Sequence, residues 1–146
     1  MSQSEINQIQ YSNLSPNKVA QLQNSVMFPR MYLYLEKYEL DPTLNAVVYE
    51  IEVGIQKDQI IHINKIHKRY SQLFEFDSQI RPMYTGNRFL QPFPPKKFFG
   101  NKDEAFLKNR AEMLQKYLTN LVRVSGILTV PAFCRCFEIN SKEINA

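Results

Sequence analysis

Three short stretches of this sequence hold residues that could do chemistry on an anion. The first is His67-Lys68-Arg69-Tyr70-Ser71, two cations followed by an aromatic ring. A guanidinium forks onto a phosphate with two charge-assisted hydrogen bonds. A tyrosine ring offers a flat apolar wall to a ring-shaped ligand such as a sugar or an inositol. Adjacent residues leaving a strand diverge, so Arg69 and Tyr70 can approach one ligand from two sides. The plainer reading is a solvated basic strand end followed by a core tyrosine. The second stretch is Phe93-Pro94-Pro95-Lys96-Lys97-Phe98-Phe99-Gly100. Its prolines stiffen the chain and fix where Lys96 points, a compact cation suited to a second phosphate. Phe98 and Phe99 stand beside lysines, the composition of a wedge that enters a membrane interface while cations meet anionic headgroups. Packing of both rings into the core is the alternative. The third is Arg110, three residues from Leu107 and four from Leu114, on the edge of an apolar helical stripe. An arginine there either snorkels or reaches into a pocket shared with the other two stretches.

The charge balance agrees with an anionic partner. Eighteen Lys and Arg against fourteen Asp and Glu give +4 and a pI near 9.1. The excess is mild but concentrated. Lys65, Lys68 and Arg69 form one group, and Arg88, Lys96, Lys97, Lys102, Lys108 and Arg110 a second. Nucleic acid, an anionic membrane surface or an acidic protein could each account for it.

Other chemistries lack their residues. The four glycines, Gly54, Gly86, Gly100 and Gly126, form neither a P-loop nor a dinucleotide fingerprint. There is no G-x-S-x-G and no H-E-x-x-H. A zinc site would need His62, His67, Cys134 and Cys136, but each pair diverges on its own element, so no metal or other cofactor is expected. No nucleophile and base are paired, and the chain reads as a non-enzyme. No apolar run approaches the ~20 residues of a spanning helix, and the N-terminus has no secretory pattern. The two cysteines are therefore expected to stay reduced in the cytosol.

The elements that must position these residues follow from periodicity. Residues 1–27 are polar and rich in Gln, Asn and Ser, and read as a flexible extension with a short helix over Pro16–Ser25. Met31, Leu33 and Leu35 alternate with Tyr32, Tyr34 and Glu36 on the other face, and Val47, Tyr49, Ile51, Val53 and Ile55 with Val48, Glu50 and Glu52, which predicts two half-buried strands joined at Asp41-Pro42. Lys57-Asp58-Gln59 fits a hairpin into a third strand from about Ile60 to Lys68. Ser71 is the expected cap of a helix to about Ile80, ended by Pro82. Residues 81–100 form a proline-rich loop. Asn101 with Glu104 signals a helix start, and Leu107, Ala111, Leu114, Leu118 and Leu121 share one face up to Ser125-Gly126. Pro131 opens a last short helix carrying Phe133 and Phe137. Strands followed by helices predict an α+β fold. It is a three-stranded antiparallel sheet packed on a helical subdomain of three or more helices, with the proline-rich loop between helices 1 and 2.

In this order, K-R-Y-S-Q-L, F-P-P-K-K-F-F-G and N-R-A-E-M-L-Q-K-Y-L resemble the PX (phox homology) domain over roughly residues 28–142, in a sorting-nexin-like or kinesin-tail-like form. The resemblance implies binding of phosphatidylinositol 3-phosphate and recruitment to early endosomes from the cytoplasm. It matches Arg69 to the 3-phosphate arginine, Tyr70 to the aromatic under the inositol ring and Lys96 to the lysine near the 1-phosphate. It matches Arg110 to the arginine on the 4- and 5-hydroxyls, and Phe98 and Phe99 to the membrane-inserting loop. Lys68 and Lys97 are accessory cations. Leu73 and Phe93 depart from the usual phenylalanine and leucine, both apolar for apolar.

Two rivals use the same residues. Pro92 to Pro95 spell P-x-x-P before two lysines, a form that an SH3 groove accepts from a free polyproline helix. Nucleic acid would need cations spread along a face with several exposed aromatics, and +4 disfavours it. His67, two residues before Arg69, would add charge toward an anion once protonated.

Overall fold

The computed structural model describes residues 7–26, 28–97, Gly100 and 102–140. The order is β1 (Gln8–Gln10), α1 (Pro16–Asn24), β2 (Met31–Asp41), β3 (Ala46–Lys57), β4 (Ile60–Arg69), α2 (Tyr70–Ile80), α3 (Glu104–Leu121) and α4 (Pro131–Cys136). The fold is α+β, as its segregated elements predict. The sheet has four antiparallel strands in the order β1-β4-β3-β2, where three were expected. The fourth is β1, which lies in the polar N-terminal segment and pairs Gln8 with His62 and Gln10 with Ile60. Three residues carrying only one apolar side chain give no periodicity to detect.

That addition changes the sheet from one-sided to two-sided. On one face Met31, Leu33, Tyr49, Ile51, Val53, Ile55 and Ile66 pack on α2, α3 and α4. On the other, Leu22, Tyr32 and Ile61 form a smaller core with Ile9, Tyr11 and Leu14 of the N-terminal segment. Residues 7–26 are therefore a packed layer, not a loose extension. Tyr32, expected on the solvent face, is fully buried against Gly54, its cross-strand partner. A Cβ at Gly54 would collide with the Tyr32 ring, so only glycine admits this packing.

Further side-chain bonds tie the helices of both layers to β2. The Gln21 carboxamide of α1 accepts from Leu33 N (3.0 Å) and donates to Leu33 O (3.0 Å) on the open edge of β2. Gln115 of α3 accepts from Leu35 N at 2.6 Å. These two side chains cap backbone groups that an edge strand otherwise leaves open to pairing. Between Leu35 and Lys37 the register shifts, and Glu36 at this bulge accepts from Lys18 at 3.2 Å. Lys18 also donates at 2.9 Å to Glu52, which is 5% exposed and takes the Tyr32 hydroxyl as well.

This network makes a pH prediction. Burial pushes the Glu52 carboxyl up, but the Tyr32 hydroxyl and the Lys18 ammonium outweigh it and hold it below the usual carboxylate range. A carboxyl depressed in the folded state contributes its full stability above the unfolded value of 4.5 and loses it as pH falls through the folded value. Glu52→Gln should therefore cost about 1–3 kcal/mol at about pH 7 and much less at about pH 3. Urea denaturation at both pH values checks it, and an equal cost at the two would show that the charge is not what matters.

Candidate functional site

The cleft begins where β4 stops. Arg69 pairs with Val48, and β3 runs on past it through Val47 and Ala46 to the hairpin tip at Asn45. That tip is built by Asp41, whose carboxylate accepts from Thr43 N and Leu44 N at 2.8 and 3.2 Å. The overhanging hairpin is one wall. The first turn of α2 is the floor, and residues 94–97 with α3 close the far side. The enclosed cleft is about 610 Å³, within the range of small-molecule sites.

The strand-to-helix handover is abrupt. The cap is Arg69, not Ser71: its N–H donates to the Gln72 carboxamide at 2.9 Å, and α2 starts at Tyr70. The strand's last side chain and the helix's first are thus adjacent at one bend. Likewise α3 is capped at Asp103, not Asn101, which lies outside the described residues.

Arg69, Tyr70, Lys96 and Arg110 all line this cleft, with Lys97, Phe74, Tyr49, Asn45 and Lys102. Arg69 is exposed, with its guanidinium at the rim. Arg110 is 7% exposed. Its guanidinium lies 3.8 Å from the centroid of the Tyr70 ring and 4.5 Å from that of Phe106. It donates to Pro95 O at 2.8 Å, while its Nε, also buried, has no partner among the described residues. Burial pushes the Tyr49 hydroxyl above its ordinary range and the Arg110 charge pulls it back. Lys96 Nζ stands 4.4 Å from the Phe74 centroid and Lys97 Nζ 4.6 Å from that of Phe106. Aromatic faces thus hold Lys96 and Arg110 without neutralising them.

The loop bearing Lys96 is pinned at three carbonyls. Arg81, paired with Asp77, donates to Gln91 O at 2.6 Å, Tyr70 to Pro94 O at 2.5 Å, and Arg110 to Pro95 O. Tyr117 donates to the same Asp77 at 2.8 Å, tying α3 to this anchor. Phe93 is driven inward, its ring 5.0 Å from Tyr117, 5.5 Å from Tyr70 and 6.0 Å from Phe74.

Other expected residues fall elsewhere. Lys68 points away from the cleft and pairs with Glu138 at 3.2 Å, because alternate residues of β4 face opposite sides. Arg88 stacks on Phe89, and Lys108 lies in a groove between β2 and α3. Of the basic run 88–110, the fold thus sends Arg88 and Lys108 elsewhere and keeps Lys96, Lys97, Lys102 and Arg110 at the cleft. His67 does share a face with Arg69, but in the neighbouring groove, where its Nε2 is 3.2 Å from Glu50. Phe98 and Phe99 lie outside the described residues. Cys136 is held by burial at a thiol pKa of about 11, well above a reactive range. Sequence reasoning missed Phe106, Asn45 and the Asp77–Arg81 anchor. Only the last left a signal, an acid and an arginine four apart on one helix face.

A profile of the PX domain matches residues 59–139, more than half of the chain. This chain belongs to the PX family, whose members are generally phosphoinositide-binding, membrane-recruiting modules and typically non-enzymatic. Among sequence relatives, the human kinesin-like protein KIF16B is 39% identical over 59 residues, which are 40% of this chain and 4% of that protein. Mouse sorting nexin-13 is 31% identical over 72 residues, 49% of this chain and 8% of that one. The chain thus spans a small part of these relatives' length. Among solved structures, a designed CISK-PX domain superposes with a TM-score of 0.58 at 19% identity, covering 70% of this chain and 94% of that one. The mouse SNX19 PX domain superposes at 0.56 with 15% identity, covering 75% and 97%. No helix among the described residues is long and apolar enough to cross a membrane.

Proposed function

We propose that the cleft binds the headgroup of phosphatidylinositol 3-phosphate and holds the protein on early endosomal membranes, facing the cytoplasm. One observation carries this reading: the end of β4, the first residue of α2, the proline loop and α3 bring Arg69, Tyr70, Lys96 and Arg110 to a single cleft. Arg69, exposed at the rim, takes the 3-phosphate in a fork. Lys96 takes the 1-phosphate. Tyr70 and the stacked Arg110 form the wall against the inositol ring, and the unpartnered Arg110 Nε is a donor for a ring hydroxyl. Lys97 adds charge at the mouth.

The magnitudes agree. Three charge-assisted contacts at ~1.5–3 kcal/mol each give about 5–9 kcal/mol gross, against about 8 for micromolar affinity and a substantial association cost. The headgroup alone should therefore bind weakly. A phenylalanine buried in the interface adds up to ~3 kcal/mol, so Phe98 and Phe99 decide whether the protein stays on the membrane. Replacing both with Ala should weaken vesicle binding ~30-fold or more while changing affinity for a soluble headgroup by less than about 3-fold. An equal loss in both assays would remove the wedge.

Docking of an SH3 domain is less well supported. Pro92 and Pro95 are exposed, but the segment around them is bound through the carbonyls of Gln91, Pro94 and Pro95. A polyproline ligand needs a free extended segment. Vesicle sedimentation across all phosphoinositides, with phosphatidylserine as the charge control, tests the assignment. Retention by the 3-phosphate alone is expected, and equal retention by phosphatidylserine would reduce the site to a non-specific basic patch.

A further inference from the structure

The Tyr70 ring is a wall in the reading above, and that role needs no hydroxyl. Yet the hydroxyl is engaged: it donates to Pro94 O at 2.5 Å. Burial also pushes it above the ordinary phenol range, so it stays a donor. Its acceptor is the carbonyl two residues before Lys96, at the start of the Pro94-Pro95 pair. Prolines have no N–H, so neither residue can donate to a turn or ladder. Carbonyl bonds are the polar means left to fix them. The next carbonyl, Pro95 O, is taken by Arg110, whose guanidinium stacks on the Tyr70 ring. Tyr70 and Arg110 thus grip consecutive carbonyls and set where the chain leaves toward Lys96.

We propose that the Tyr70 hydroxyl is a positioning group for Lys96, acting through Pro94, separately from the ring's contact with ligand. This rests on the headgroup reading of the cleft and adds a consequence to it. Phenylalanine would supply the same wall but leave the lysine badly placed, so the phenol and the ammonium act as one unit.

A double-mutant cycle isolates the coupling. Tyr70→Phe, Lys96→Ala and the double variant are titrated with soluble short-chain phosphatidylinositol 3-phosphate by calorimetry. Tyr70→Phe should lower affinity about 5–10-fold in the parent, the loss of one hydrogen bond's ordering, and less than about 2-fold in the Lys96→Ala background. Amide relaxation of Lys96 and Lys97 in the ligand-free protein should show greater mobility in Tyr70→Phe, a change that loss of a ligand contact alone would not cause. Additive losses, or unchanged loop relaxation, would overturn the positioning role while leaving the headgroup reading intact. A folded parent that binds no headgroup would instead overturn the reading on which it rests.

Discussion

Arg69→Ala is expected to lower affinity for vesicles carrying phosphatidylinositol 3-phosphate at least ~100-fold, with an unfolding midpoint within about 2 °C of the parent. Both halves follow from its place. Its guanidinium is exposed at the end of β4 and outside both hydrophobic cores. What it gives the fold is a backbone N–H, which donates to Gln72 and survives in alanine. What it would give the ligand is a two-point charged fork, worth roughly 3–6 kcal/mol gross. Lysine should rescue only part of it, because a point charge cannot fork. Sedimentation alongside thermal unfolding reads both quantities on one sample. Loss of binding together with loss of the fold would show that Arg69 is structural.

Arg110→Met is the second large effect, and its two readouts should move apart. Headgroup binding should fall ~30-fold or more, because the donor set and one grip on the loop are lost. Stability should stay level or rise by as much as about 1–2 kcal/mol. A buried cation with an unpartnered Nε carries a desolvation cost, and an unbranched apolar chain of similar length between Tyr70 and Phe106 avoids it. A guanidinium that costs the free fold stability is the result expected if its partner arrives with the ligand. Chemical denaturation together with calorimetry measures both. A variant much less stable than the parent would mean that the guanidinium's bond to Pro95 and its two rings already outweigh its burial.

Sequence reasoning recovered the cleft and the main core for one reason, and it missed the outer layer for another. Strands β2 to β4 and the long helix carry strong periods, and Arg69, Tyr70, Lys96 and Arg110 sit at their ends or in the linking loop, so topology alone gathers them. The cleft's supporting parts leave no such trace. Phe106 looks like one more core residue until Arg110 and Lys97 are seen on its ring. Lys102 reads only as one more cation of the second basic group, yet it bonds Asn45 at 2.8 Å, a contact that spans 57 positions. The polar N-terminal segment is held by Gln21, Lys18 and Leu22, and two of those three are polar groups that composition counts toward solvent. The loss of Lys68 from the site has the opposite cause. Strand alternation applies to it as it does to His67, and that period was legible, but the density of basic residues around it obscured the face it takes.

The claim that four side chains from three parts of the fold form one headgroup site is tested most directly by an amide shift titration with soluble phosphatidylinositol 3-phosphate, using unphosphorylated phosphatidylinositol as control. The phosphorylated ligand should perturb Arg69, Tyr70, Lys96 and Arg110 together, with one shared dissociation constant, and the control should perturb none. Shifts confined to the neighbouring groove around His67, or identical responses to both ligands, would contradict the account.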